Sequence, residues 1–95
     1  MTIFAVEENA AALQQLSGLI SVLSPDSELL CFESSLAALA AARSKEVDLA
    51  LIDVDLSELS GIDLGQYLQE LYPLINLIYL ANDPDHGYDA CRRSG

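Results

Sequence analysis

Residues Asp48-Leu-Ala-Leu-Ile-Asp53-Val-Asp55-Leu-Ser57-Glu-Leu-Ser-Gly61-Ile-Asp-Leu64 join an apolar run that ends on an acid, a short loop, and a glycine that opens a new periodic segment. The run from Val47 to Ile52 is almost wholly apolar. A strand of that kind is covered on both faces, which places it in the middle of a parallel sheet. Asp53 marks its carboxyl end. The segment after Gly61 carries Leu64, Leu68 and Leu71 at helical spacing and closes at Tyr72-Pro73, as a helix packed on that sheet would.

The same alternation extends in both directions. Upstream, Thr2 to Val6 reads as a first strand broken by Glu7-Glu8-Asn9. Asn9 is placed to cap a helix with Leu13, Leu16, Ile20 and Leu23, ended by Ser24-Pro25-Asp26. Glu28 to Phe32 reads as a second strand, and Ser34 or Ser35 caps an alanine-rich helix whose buried face is expected at Leu36, Leu39 and Ala40. Downstream, Ile75 to Leu80 reads as a fourth strand. Asp83-Pro84 is a cap and first-turn pair for a last, weakly apolar helix ending at Gly95. Strands alternating with helices in this way predict an α/β fold, a doubly wound parallel sheet in one domain over residues 1–95.

Composition narrows the function. Apolar residues make up 52% of the 95 residues, yet no stretch is long or pure enough to span a bilayer, and the N-terminus has no signal-peptide pattern. The chain reads as soluble and cytoplasmic, without a membrane partner. Fifteen acids against four bases give a net charge of −11, which argues against direct nucleic-acid binding because phosphate backbones require Lys and Arg. Cys31 and Cys91 lack metal-ligand spacing and read as small buried apolar groups rather than a disulfide.

In an open parallel sheet, ligands gather at the carboxyl ends of the strands. Glu7, Glu8, Asp53, Asp55, Ala81 and Asn82 are all expected there. Carboxylates converging at one edge repel each other unless a cation sits among them, and hard oxygen ligands suit Mg²⁺. Asp53 is the candidate nucleophile, since it ends the central strand and is followed by a loop. The blander reading of Glu7 and Glu8 is a helix first turn that favours negative charge. His86 beside Gly87 reads as a solvated residue, and Tyr67, Tyr72, Tyr79 and Tyr88 as packing residues with wet hydroxyls.

Taken together these residues resemble the receiver domains of two-component response regulators. The carriers are the Asp48–Leu64 stretch, with its glycine eight positions after Asp53, the start Ile3-Phe-Ala-Val-Glu7-Glu8-Asn9, and Ala90-Cys-Arg-Arg-Ser-Gly95, which looks like the end of the family's fourth helix. The resemblance implies a flavodoxin-like fold, with Asp53 as phosphoacceptor in phosphorelay signal transduction. It also implies Mg²⁺ held by Glu7, Glu8, Asp53 and the Asp55 carbonyl, and a sensor histidine kinase as partner. The segment from Tyr72-Pro73 to Leu80 looks like receivers attached to LytTR-type DNA-binding domains, which implies an output domain beyond this chain and a role in transcription regulation. The chain departs from the family at four places. Glutamates replace two aspartates, Ser57 stands where proline is common and should loosen the loop, and Ala81 occupies the switch position without a hydroxyl. The fifth βα unit, with its lysine, is expected to be missing.

Two other readings compete with a working receiver. A non-phosphorylated pseudo-receiver acting as a protein-interaction scaffold is favoured by Ala81 and the glutamate pair. A fragment of a haloacid-dehalogenase-type phosphatase would use Asp53 and Asp55 as its Asp-x-Asp motif, but the chain after Asp55 is short for that family's other motifs. A fold lacking its fifth strand would expose the fourth-strand edge and leave Leu16, Leu19 and Leu23 uncovered, which predicts a homodimer.

Overall fold

Strand β1 (Thr2–Val6) has both faces buried, and its alternating side chains divide the core in two. Phe4 and Val6 enter one cluster, Ile3 and Ala5 the other, as a period-two strand between two layers must do. The computed structural model describes residues 1–83 and 87–94, and from Asn82 onward by backbone course alone. Strands β2 (Glu28–Phe32), β3 (Leu49–Asp53), β4 (Asn76–Asp83) and β5 (Gly87–Ser94) complete one sheet in the order β2-β1-β3-β4-β5. The first four strands are parallel, with Val6 opposite Phe32 and Ile52, and Asp53 opposite Leu80.

Helix α1 (Ala10–Leu23) covers one face through Leu13 and Ile20. Helices α2 (Ser35–Ala42) and α3 (Gly61–Leu71) cover the other through Ala38, Ala42, Leu64 and Leu68. The sheet is therefore wound on both sides, which is the expected flavodoxin-like class. Each helix begins on a polar side chain that accepts an otherwise orphaned backbone N–H. Asn9 Oδ1 takes Ala12 N at 3.0 Å, Ser34 Oγ takes Ala37 N at 3.2 Å, and Ser60 Oγ takes Asp63 N at 3.1 Å. At the other end, the Tyr72 hydroxyl donates to the carbonyls of Ala42 at 2.5 Å and Lys45 at 3.1 Å, tying the ends of α2 and α3 together. Among the described residues, no helix is long and apolar enough to cross a membrane.

Several expectations are corrected. The buried face of α2 is Ser35, Ala38 and Ala42, with Leu39 half-buried against the core as expected, while Leu36 is 52% exposed and Ala40 lies outside. Small residues let this helix sit close to the sheet, and a run of alanines carries almost no amphipathic signal. Cys31 is exposed rather than buried, because β2 is an edge strand. The expected last helix is instead β5, antiparallel to β4, with Leu80 opposite Ala90 and Asp83 opposite Gly87. Tyr88, Ala90 and Cys91 are the only apolar residues of that segment, too few for a helical face, whereas the β4 edge offers a full ladder of main-chain partners. The fourth-strand edge is accordingly paired, which removes the open edge that suggested association. The expected roles of Pro84 as a first helical residue and of His86 lie outside the described residues. Leu19, Val22 and Leu23 are exposed on α1, as anticipated for Leu19 and Leu23, whereas Leu16, also expected to be uncovered, is half-buried against the cluster of Ile3, Ala5, Leu13 and Ile20.

Two glycines in helices test this packing. A Cβ at Gly18 meets nothing within 4 Å, whereas a Cβ at Gly65 would lie 2.0 Å from Tyr79 Oη and 2.8 Å from Cζ. Tyr79 is only 5% exposed, so its ring has little room to retreat. Gly18→Ala should raise stability by up to about 1 kcal/mol through helix propensity. Gly65→Ala should lower it by about 1–3 kcal/mol through overpacking. Urea unfolding midpoints measure both, and equal shifts of the same sign would rule out the Tyr79 contact as the reason for glycine at position 65.

Candidate functional site

The site forms at the carboxyl ends of β1 and β3. Along β1 the odd positions Ile3 and Ala5 face α1, and along β3 so do Leu49 and Leu51. Glu7 and Asp53 continue those two rows by one step each. They therefore stand at neighbouring register positions on the same face, adjacent strands being about 4.8 Å apart. Both are buried, Glu7 at 4% exposure and Asp53 at 7%. The ladder runs on past the strands at this edge, with Glu7 N donating to Phe32 O at 3.0 Å and Val54 N to Leu80 O at 3.0 Å.

Asp53 is held in place. Its Oδ1 accepts the Asp55 N–H at 3.0 Å, which orients the carboxylate and leaves Oδ2 as its other oxygen. The loop then folds back at once, since Gly61 N donates to Val54 O at 3.2 Å. A Cβ on Gly61 would fall 2.1 Å from Asp53 O and 2.7 Å from Val54 Cα. Glycine is required here by close approach of backbone to backbone.

The loop is fastened along its length. The Ser57 N–H and hydroxyl both donate to the Glu8 carboxylate, the hydroxyl to Oε2 at 2.9 Å. Ser34 Oγ donates to Glu58 Oε1 at 2.6 Å, and Leu59 N donates to Ser35 Oγ at 2.9 Å. The expectation that Ser57 loosens the loop is thus reversed, because serine offers two donors where proline offers none. The sequence showed the departure from proline at this position, but not which acceptor lay across from it.

Of the expected site residues, Glu7 and Asp53 come together, and Asp55 joins them through its main chain with its side chain exposed. Glu8 is exposed and turned to Ser57. Among the described residues, no three His, Cys, Asp or Glu side chains are grouped closely enough to hold a metal ion. The Glu7 and Asp53 carboxylates, from neighbouring register positions, and the Asp55 main-chain carbonyl are nonetheless hard oxygen donors, whose chemistry suits Mg²⁺. Ala81 lies in β4, half-buried and paired with Asp89, and supplies no hydroxyl.

Residues 3–90 match the family described as the response regulator receiver domain. Among solved structures, a CheY-like receiver domain protein from Methanospirillum hungatei JF-1 superposes with a TM-score of 0.78 at 21% identity, covering 86% of this chain and 64% of that one. The signal receiver domain of an HD domain-containing protein from Pseudomonas fluorescens Pf-5 gives 0.77 at 30% identity, covering 90% and 66%. The receiver domain of a modulated diguanylate cyclase from Desulfovibrio desulfuricans G20, described as an example of alternate folding, gives 0.75 at 21% identity, covering 88% and 66%. This chain thus spans slightly less than two thirds of each of these structures. A search of curated proteins found no significant match.

The seat of Gly61 yields a direct expectation. Gly61→Ala should destabilise by about 2–3 kcal/mol, more than Gly65→Ala, because backbone rather than a side chain must move. Chemical denaturation of the two variants side by side measures the difference, and a Gly61→Ala protein as stable as wild type would show that the strand end does not depend on this contact.

Proposed function

Because the chain belongs to the response regulator receiver family, we propose that it is a phosphoacceptor switch of two-component signalling with Asp53 as the acceptor. The observation that carries this reading is the Asp53 carboxylate itself, buried at the end of a central strand with one oxygen fixed by the Asp55 N–H. In the transfer, an Asp53 carboxylate oxygen forms a bond to phosphorus. The bond between phosphorus and the donor's leaving atom breaks with its electron pair, giving an acyl phosphate on Asp53. The donor chemistry is that of a phosphohistidine on a sensor kinase, or of a small acyl phosphate.

Glu7, Asp53 and the Asp55 carbonyl would hold Mg²⁺, with Glu8 able to join them only by leaving Ser57, and the ion would offset repulsion among the carboxylates and the incoming phosphoryl oxygens. The neighbouring Glu7 sets the charge of the site, and the Asp55 N–H keeps the nucleophile oriented. Ala81 offers no hydroxyl to the phosphoryl group, which should slow transfer and weaken the coupling of modification to any output. Receiver domains are signalling modules rather than stand-alone enzymes. A DNA-binding output domain, a cytoplasmic setting and a part in transcription regulation complete the proposal. The receiver match over residues 3–90 weighs against the phosphatase alternative. The scaffold alternative draws on Ala81 and on the engagement of Glu8 by Ser57.

Incubation with acetyl phosphate and Mg²⁺, followed by intact-mass measurement, tests the proposal. One phosphoryl group should appear slowly, disappear in Asp53→Asn, and appear several-fold faster in Ala81→Thr. Modification that persists in Asp53→Asn would move the acceptor elsewhere. Absence of modification in both wild type and Ala81→Thr would favour the scaffold.

A further inference from the structure

Glu7 and Glu8 are neighbours in the chain with opposite fates. Glu7 is buried beside Asp53, while Glu8 is exposed and its two carboxylate oxygens meet the N–H and hydroxyl of Ser57. A carboxylate that accepts from a backbone N–H and a hydroxyl at once is held by two charge-assisted bonds in a fixed orientation. Glu8 would have to give up at least part of this arrangement to turn toward a cation, because Mg²⁺ demands a narrow ligand geometry.

We infer that Ser57 is a positioning residue that latches Glu8 onto the β3–α3 loop, so that binding of a divalent cation with Glu8 as a ligand is coupled to release of that loop. This rests on the proposed metal role of the Asp53 site. The loop is well placed to respond. Its neighbouring residues Glu58 and Leu59 are tied to Ser34 and Ser35 at the start of α2, so release at Ser57 would be felt at the α2–α3 layer. Ser57 touches no reacting atom and acts through Glu8.

The experiment has a metal-free arm and a metal arm. Without metal, amide hydrogen exchange at Ser57 should be slow in the wild-type chain and clearly faster in Glu8→Ala. Exchange that is fast in both overturns the latch. Calorimetric titration with Mg²⁺ then compares variants at position 57. Ser57→Ala, which loses the hydroxyl, should bind roughly three- to tenfold more tightly. Ser57→Pro, which loses both donors, should bind more tightly still, and Ser57→Thr, which keeps both, should match wild type. Glu8→Gln should change affinity little in the wild-type chain but reduce it several-fold in the Ser57→Pro background, a non-additivity that loop destabilisation alone would not produce. Equal affinities across the series overturn the coupling while leaving the metal site standing. If neither wild type nor Ser57→Pro binds Mg²⁺, the metal reading falls and the coupling with it, and the Ser57 amide still reports whether the latch exists.

Discussion

The contact on which the molecule depends is the seating of Gly61 against the main chain of Asp53 and Val54. Because a Cβ has no room there, α3 can begin directly beneath the end of β3, and the loop between them must turn back within a few residues. That return brings Ser57 to Glu8, Glu58 to Ser34 and Leu59 to Ser35. It also fixes where α3 lies along the sheet, so that Leu64 and Leu68 reach the core and Gly65 receives the Tyr79 ring. Fully burying two leucines is worth about 1.5–3 kcal/mol each, and their register follows from where the helix starts.

Charge plays a different part from packing. The pair Lys45–Glu28 joins side chains that are 39% and 54% exposed, and ion pairs of that kind contribute little to stability. With fifteen acids and four bases, most carboxylates do no more than keep the surface solvated. Glu7 and Asp53 are set apart by burial rather than by number. A core that excludes water on the α1 face holds two acids at neighbouring positions, and this makes the strand ends a place where a cation or phosphoryl group is felt strongly.

Much of this was legible in the sequence where a physical pattern has a single reading. The apolar run ending at Asp53, the glycine at position 61 and the capping residues Asn9 and Ser34 each admit few alternatives, and strands β1 and β2 have the bounds their residues suggest. Elsewhere the pattern was degenerate. An alanine-rich helix can bury any face, so Leu36 was assigned to a core that it does not enter. Gly87–Ser94 has no strong preference of its own and takes its conformation from the neighbouring edge of β4. The position of Ser57 stood out in the sequence, but its role depends on a partner 49 residues away, and one-dimensional spacing carries no trace of such a pairing.

The antiparallel strand β5 also bears on how the sheet is assembled. Ile3 meets Leu49 across the whole of α1, β2 and α2, whereas Asp83 meets Gly87 almost immediately. Closing a long loop costs more chain entropy than closing a short one, and hairpins form within microseconds while distant parallel pairings are slow. The β4–β5 hairpin can therefore form while β1 and β3 are still finding each other. A strand that is apolar from Leu77 to Leu80 apart from the Tyr79 hydroxyl would then have one of its edges covered during the interval in which nascent chains are most prone to pair with one another.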